Sequence, residues 1–371
     1  MFYGQNDMET LKKTCLYDSH VALGARMSPF GGFVMPISYT DIIAEHNAVR
    51  GHCGMFDVSH MGEIYVSGPE AGKLVSRIFT NDISGMQPGK ILYGMMLYPE
   101  GGVVDDLLVY RMPGPSSYML VVNASNIDKD AGWIRSAAGG MDVLVEDRSE
   151  SYGQIALQGP DAEKVAASVL GMDLSGLAFY TFTETGAGDE RIIASRTGYT
   201  GEDGFEFYAS PAVIRRLWVS LLSAGVTPCG LGCRDTLRFE AGLPLYGHEL
   251  GPDISPLEAG LGMFVKTDGH DFIGKAAYEA LKAAGPARRL VGIELVEKAV
   301  PRAGYPVEAG GETVGEVTTG YISISTGKSV CMAFVRTPCS APGTEVGIRI
   351  RKRTFPGKVC RKIFYDKRYK K

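Results

Sequence analysis

No stretch of this 371-residue chain comes near the roughly 18 consecutive apolar residues that a membrane-spanning helix needs, which argues against a helical membrane protein. Nor is there a disulfide framework. The cysteines, at 15, 53, 229, 233, 331, 339 and 360, are odd in number and widely spaced, as in a protein held in a reducing compartment. The first residues, with Asp7 and Glu9, show neither the apolar core of a signal peptide nor the Arg-rich pattern of a transit peptide. The expected place is the cytoplasm, or the mitochondrial matrix if a transit peptide has been removed. Nucleotide motifs are missing too. Ser325-Thr326-Gly327-Lys328-Ser329 imitates the end of a P-loop, but its first glycine would have to stand at Ile322, and Gly198, Gly201 and Gly204 lack the βαβ setting of a dinucleotide fingerprint.

What is present is a globular composition, 45% hydrophobic and 22% charged, over a length that implies about two or three domains and room for a cleft between them. The 48 glycines are spread along the chain and signal tight turns, not low complexity. The net charge of −4 conceals an asymmetry. From Arg349 onward there are eleven Lys or Arg against one acid, Asp366, so a basic tail follows an acidic body. With no aromatic platform or recognition helix beside it, the tail does not predict nucleic acid; a polyanionic small ligand, an acidic protein or plain solvent remain open.

The most informative pattern is a repeat. Glu63-Ile64-Tyr65-Val66, then Gly68-Pro69-Glu70-Ala71 and an apolar helix through Leu74, Val75 and Ile78, returns 91 residues later as Gln154-Ile155-Ala156-Leu157, Gly159-Pro160-Asp161-Ala162 and Val165, Ala166, Val169. Each copy continues through a glycine-rich hairpin to a further helix, Ser125 to Ala138 and Pro211 to Ala224. Two related β-α-β-β-α units are expected, with Gly101–Tyr110 in one hairpin and Arg196–Phe207 in the other. Gly101-Gly102-Val103-Val104-Asp105-Asp106-Leu107 puts two carboxylates in an apolar strand, where alternation sends them to opposite faces. A carboxylate in partly apolar surroundings needs a partner or shifts its pKa upward, as proton handling requires. Glu206 offers an acid from the second unit.

The lead-in over 15–40 reads as turns. A helix capped at Thr40 or Asp41 is expected to run to Arg50 with Ile42, Ile43, His46 and Val49 on one face. His46, His52, Cys53 and His60 match no metal template, and the Cys229/Cys233 spacing reads as packing, so no metal site is expected. Arg234 stands near a helix start beside Asp235, where it can clamp a carboxylate or pair with its neighbour. Past a helix over Lys275 to Ala284, short strands between glycine turns predict an all-β barrel or sandwich. The boundary falls near Gly285, giving domains 1–284 and 285–371.

Taken together, Gly54-Met55-Phe56-Asp57-Val58-Ser59-His60-Met61-Gly62-Glu63, Thr80-Asn81-Asp82, Gly101 to Leu107, Ser195 to Glu206 and Gly230-Leu231-Gly232-Cys233-Arg234-Asp235 resemble the aminomethyltransferase (T-protein) family of the glycine cleavage system over nearly the whole chain. The resemblance implies an α+β, three-lobed fold: the two repeated units form a folate-binding core and a β-barrel follows. It implies transfer of an aminomethyl-borne carbon from the lipoyl arm of the H-protein to tetrahydrofolate, giving 5,10-methylenetetrahydrofolate and ammonia. Carried over residue by residue, Asp106 is the catalytic carboxylate, with Asp105 structural, and Tyr93, Tyr199, Glu206 and Arg234 line the folate site. Tyr369 matches a folate-contacting tyrosine, with Tyr365 as competitor. Phe30-Gly31-Gly32-Phe33 and Cys233 depart from the family's usual Gly-Trp and Ala. The alternatives are a tetrahydrofolate-dependent demethylase and a non-catalytic folate-binding scaffold.

Overall fold

The computed structural model describes residues 10–186 and 188–370; Asp7, Glu9 and the terminal Lys371 of the sequence reading lie outside them. Helix α1 (Tyr17–Ala22), strands β1 (Arg26–Phe30) and β2 (Phe33–Ser38), helix α2 (Ile42–Gly51) and β3 (Gly54–Asp57) form the lead-in. Where only turns were expected there is a hairpin. Gly31 and Gly32 both take positive φ, 56° and 85°, as the two-residue turn that matches strand twist demands, and Phe30 pairs with Phe33 across it.

The first unit runs β4 (Gly62–Ser67), α3 (Ala71–Ile78), β5 (Ile91–Leu97), β6 (Val103–Arg111), β7 (Ser117–Val122) and α4 (Ile127–Ala138). After β8 (Leu144–Asp147), the second runs β9 (Gly153–Gln158), α5 (Ala162–Leu170), β10 (Phe182–Thr185), β11 (Ile192–Ser195), β12 (Gly204–Ala209) and α6 (Pro211–Ser223). The two related units are there, and each holds one strand more than the spacing suggested. Their sheets share an order, β5-β6-β7-β4 and β10-β11-β12-β9. The recurring Gly-Pro step has a backbone cause. At Gly68 and Gly159 φ is 118° and 132°, and a Cβ would lie 2.8 Å from the Asp142 carbonyl oxygen or 2.4 Å from that of His52.

The units also exchange a strand. β3, which precedes β4 in the chain, pairs with β9 of the other unit, while β8, which precedes β9, pairs with β4. Neither sheet is complete without the other half. Helices cover the outer faces, with Leu74, Ile78 and Ile134 on the first sheet and Val213, Trp218 and Leu221 on the second. Each fully buried side chain of this kind contributes about 1.5–3 kcal/mol. The inner faces meet in a layer that includes Tyr65, Tyr110, Met119, Ile193 and Tyr208.

β13 (Thr227–Pro228), α7 (Leu231–Glu240) and α8 (Lys275–Ala284) lead to β14 (Arg288–Leu295), β15 (Pro306–Ala309), β16 (Glu312–Ile322), β17 (Ser329–Arg336), β18 (Glu345–Ile350) and β19 (Arg353–Cys360). These close as an antiparallel barrel in the order β14-β17-β16-β15-β18-β19. Strand β19 escaped the sequence reading because Arg353, Pro356 and Lys358 break its apolar alternation. It pairs with β18 and β14 and so removes the barrel's free edges. Much of the basic tail is therefore barrel wall, with Arg349 3.0 Å from Glu308. The remainder folds back over the second unit, where Lys370 lies 2.8 Å from Glu163.

The barrel docks on the core through charge. α2 buries Glu45, His46, Val49 and Arg50, whereas Ile43, expected on its apolar face, is 53% exposed. Arg50 reaches Glu202 at 3.0 Å and Glu240 at 3.3 Å. His46 sits 3.3 Å from Glu240, and Ser323 Oγ donates to the same carboxylate at 2.7 Å. Arg238 pairs with Glu249 at 2.9 Å, which also accepts from Thr319 of β16 at 2.7 Å. The stretch that imitates a P-loop does this work: Ser325 Oγ and its backbone N–H both donate to Glu240.

Candidate active site

Strand β6 fixes the two acids. A Cβ at Gly102 would fall 1.6 Å from the Pro252 carbonyl oxygen, so only glycine lets the strand start here, and the Val103 N–H donates to Gly251 at 3.0 Å. Leu107 and Val109 point to the helix-side core, Leu108 and Tyr110 to the layer between the sheets. By alternation Asp105 faces α4 and Asp106 faces the space between the two units.

Asp106 accepts from Tyr93 Oη at 2.9 Å and from Asn123 Nδ2 at 2.9 Å. Enclosure by the chain, and next the neighbouring Asp105, push its carboxyl up to about 7, against the weaker pull of the two donors. A carboxyl so placed exchanges a proton near neutral pH. Asp105 is fully buried and held by Asn123 N at 2.9 Å, Asn123 Nδ2 at 2.8 Å and Asn126 Nδ2 at 2.8 Å.

Glu206 projects from β12, 8% exposed. Gln154 Nε2 donates to it at 3.0 Å and Thr197 Oγ1 donates to its other oxygen. Behind Thr197 a hydroxyl chain continues through Ser195 at 2.8 Å to Tyr110 at 3.1 Å and Tyr208 at 2.9 Å, tying one sheet to the other. Burial raises the Glu206 pKa; the hydrogen bonds and the Arg234 charge oppose it. The buried Gln154 Oε1 has no donor of its own.

Arg234 lies within α7, its guanidinium carbon 4.4 Å from the Tyr199 ring centroid. Among the described residues no carboxylate lies within ion-pair distance of it; Asp235, its neighbour in sequence, is held by Arg238 at 2.7 Å and by Tyr321. Tyr199 is itself fixed by donating to the Pro244 carbonyl. The electrostatic neighbours of Tyr93 are Asp106, Tyr180 and Tyr199, and those of Arg234 include Tyr199 and Glu206. Tyr93, Asp106, Tyr199, Glu206 and Arg234 are thus brought together.

The tail supplies Tyr369, which stacks on Phe179 at 4.4 Å and 20°, next to Tyr180. Tyr365 sits elsewhere, under the Arg50 guanidinium at 3.8 Å. The hairpin correspondence does need correcting. Ile64 pairs with Leu120 and Ile155 with Phe207, so the counterpart of Glu206 is Met119 on β7, not an acid of β6. The two acids come from different strands of the repeat, Asp106 from β6 and Glu206 from β12, the counterpart of β7.

Two residues of the site, Asn123 and Tyr180, were not singled out from sequence, and a third, His60, was weighed there only as a metal ligand. Asn123 bridges both aspartates. Tyr180 carries a positive φ of 59°, an uncommon backbone state for a bulky residue and one that a sequence does not display. His60 is 1% exposed, and neither ring nitrogen has a partner. Burial and Arg234 push its pKa down to about 3, so it is a neutral imidazole. With Asn123, Arg234, Phe30 and Tyr246 it lines a pocket of about 210 Å³. Its conspicuous place in Asp57-Val58-Ser59-His60 was the available signal. The histidines and Cys53 do not converge: His52 is 81% exposed beside Asp161, and His46 belongs to the docking seam. Cys229, Cys233 and Glu45 do lie within 4.8 Å of one another, but the Glu45 oxygens already accept from the backbone of Tyr39, Thr40 and Gly230.

A carboxyl able to change its protonation state, among tyrosines and next to a guanidinium without a carboxylate partner, is the arrangement of an enzyme site for a small anionic molecule. Comparison with known proteins narrows the class. Residues 16–269 match the model for the GCVT N-terminal domain, and 288–366 that for the glycine cleavage T-protein C-terminal barrel domain. The chain is 48% identical over 362 residues to the aminomethyltransferase of Moorella thermoacetica, covering 96% of this chain and 99% of that one. It is 49% identical over 368 residues to that of Symbiobacterium thermophilum, covering 96% and 98%. Its fold matches the crystal structure of the glycine cleavage system aminomethyltransferase T from Bartonella henselae with a TM-score of 0.92 at 34% identity, over 97% of this chain and all of that one. The chain belongs to the glycine cleavage T-protein family and is an aminomethyltransferase. No helix among the described residues is long and apolar enough to cross a membrane.

Proposed function

We propose that the chain transfers the one-carbon unit of an aminomethyl group, carried on the lipoyl arm of an H-protein, to tetrahydrofolate, giving 5,10-methylenetetrahydrofolate and ammonia. The observation that carries this is Asp106, a partly enclosed carboxyl held by two neutral donors and poised to titrate near neutrality. The residues present fit a reduced folate. Glu206 and the donorless Gln154 Oε1 are acceptors for the paired N–H groups of a pterin edge, and Arg234 suits a glutamyl carboxylate. Bound tetrahydrofolate supplies the nitrogens that receive the carbon.

In this reading the carbon's bonds to the lipoyl sulfur and to the amine break as it bonds to two folate nitrogens. Asp106 in its ionised form takes a proton from a folate nitrogen and returns it to the departing ammonia or lipoyl thiolate, with Tyr93 and Asn123 holding it in place. Tyr93, Tyr199 and Tyr180 narrow the space and keep water from the reacting carbon, and Tyr369 closes the tail over it. A core of 1–284 and a barrel domain of 285–371, working in the cytoplasm, belong to the same proposal. The test is to mix the protein with tetrahydrofolate and aminomethyl-loaded H-protein and follow methylenetetrahydrofolate and ammonia, with Asp106→Asn alongside. Turnover that the substitution removes is expected. Folate binding without turnover would sink the reading and turn the search to methylated sulfur or nitrogen donors.

A further inference from the structure

Behind the two aspartates of β6 lies a third carboxyl that the reaction does not explain. Asp130, on α4, is fully buried, and neither of its oxygens has a hydrogen-bond partner. The one cation near it is Lys129, 3.3 Å from Oδ1 and a third exposed, whose ammonium already donates to the Val104 carbonyl and lies 3.4 Å from Tyr246 Oη. Its other neighbour is Asp105; burial first, and the Asp105 carboxyl next, favour the protonated form of Asp130. Two buried carboxyls in contact cannot both ionise; one keeps a proton and gives it to the other as a hydrogen bond. Asp105 is already the acceptor for three N–H groups, from Asn123 and Asn126, so the proton belongs on Asp130.

We propose that Asp130 is a positioning residue for the transfer reaction: it holds the proton of a carboxyl pair with Asp105, so that a single negative charge is fixed behind Asn123 and, through it, behind Asp106. The connection is continuous. Asn123 Nδ2 lies 2.8 Å from Asp105 Oδ1, 2.9 Å from Asp106 Oδ1 and 3.2 Å from the Asp106 carbonyl oxygen. The charged and titratable groups facing the pair are Lys129 from α4, Tyr246 from the loop after α7 and Asp106 from β6 itself. One charge on Asp105 keeps the Asp106 proton available near neutral pH. A second, on Asp130, would hold that proton too tightly; none would release it too early. The inference rests on the reading of Asp106 as the proton-handling group.

The test is kcat against pH for the full chain with Asp130→Ala, Asp130→Asn and Asp105→Asn, with tetrahydrofolate affinity measured in parallel. Asp130→Ala should lose about tenfold or more in kcat at unchanged folate affinity, as misplacement of a reacting group does. Asp130→Asn, whose amide still donates to Asp105, should recover most of that loss with the wild-type midpoint, and Asp105→Asn should move the midpoint to lower pH. A midpoint displaced by about one unit or more in Asp130→Asn would mean that Asp130 is ionised and would overturn the proposal. Wild-type behaviour of Asp130→Ala would overturn it equally. Should the alanine variant fail to fold, the infrared difference between wild type and Asp130→Asn at roughly pH 8 decides: a protonated-carboxyl band is expected, and its absence refutes the pair. If Asp106→Asn itself turned over normally, the underlying reading would fail instead, whatever Asp130 does.

Discussion

Two carboxyls, Asp106 half-buried in the chamber and Glu240 fully buried in the seam beneath the barrel, have been given opposite properties by their surroundings. Glu240 is met by Arg50, His46, Ser323 and Ser325, and its pKa is brought down to about 2 against the effect of burial, with His46 the largest of the lowering influences. Asp106 has only the neutral Tyr93 and Asn123 as donors, with the Asp105 charge close by, and rises to about 7. The difference lies in the sign and number of neighbours, not in burial. Where a guanidinium, an imidazole and hydroxyl donors converge, a carboxylate becomes a permanent fixture of the fold; where only neutral donors and a like charge converge, it becomes a group that changes state.

The comparison is broken most directly at its functional end. Asp106→Asn should lower kcat about 10²–10⁴-fold, the usual worth of a positioned acid or base, with folate affinity within a few-fold of wild type by equilibrium titration. At the structural end, Glu240→Ala leaves Arg50 and His46 without their shared carboxylate. Breaking a buried network in this way costs about 3–5 kcal/mol, read as a lower urea midpoint that appears first in probes on the barrel. Next in size comes Arg234→Met, which removes a guanidinium that has no carboxylate partner of its own. Folate should bind roughly 10–100-fold more weakly, from the 1.5–3 kcal/mol of a charged hydrogen bond, with kcat at saturation little changed. A large loss of kcat with intact affinity would move Arg234 from binding to chemistry.

These residues were unequally visible in the sequence. The repeat was legible because Gly68-Pro69 and Gly159-Pro160 answer to local backbone geometry, which leaves a residue signature. That the two aspartates lie on opposite faces followed from strand alternation; which of them looks into the chamber was implied only by the family resemblance. The strand exchange of β3 and β8 was not legible, because four-residue strands that pair across the molecule carry no local pattern. Nor was the charged face of α2: apolar periodicity points to Ile43, while Glu45, His46 and Arg50 are buried by partners 190 residues or more away in sequence in the case of the Glu240 and Ser325 contacts. The rough correspondence of the hairpins that carry Asp106 and Glu206 failed because spacing in sequence does not give register in the sheet. Their convergence survives, since sheets that meet face to face bring many unmatched positions together.

The finest test of the comparison is stability against pH, where the two carboxyls should act with opposite sign. Asp106 has a folded pKa near 7, above that of the unfolded chain, so between roughly pH 4 and pH 7 the folded protein holds a proton that the unfolded chain has lost. Its contribution to stability is present at low pH and disappears as pH rises through about 7. Asp106→Asn should therefore stabilise the chain at roughly pH 8, on the order of 1–2 kcal/mol after screening by chamber water, and change little near pH 4. Glu240 runs the other way: its folded pKa is depressed, so its contribution is present above the unfolded value and is lost as pH falls toward about 2. Glu240→Gln should accordingly destabilise most at neutral pH, and its deficit should shrink on acidification. Chemical denaturation of both variants across this range checks the signs. Parallel curves for the two would mean that both sites see the same electrostatics, and that the contrast between a group that moves a proton and one that holds a barrel in place is false.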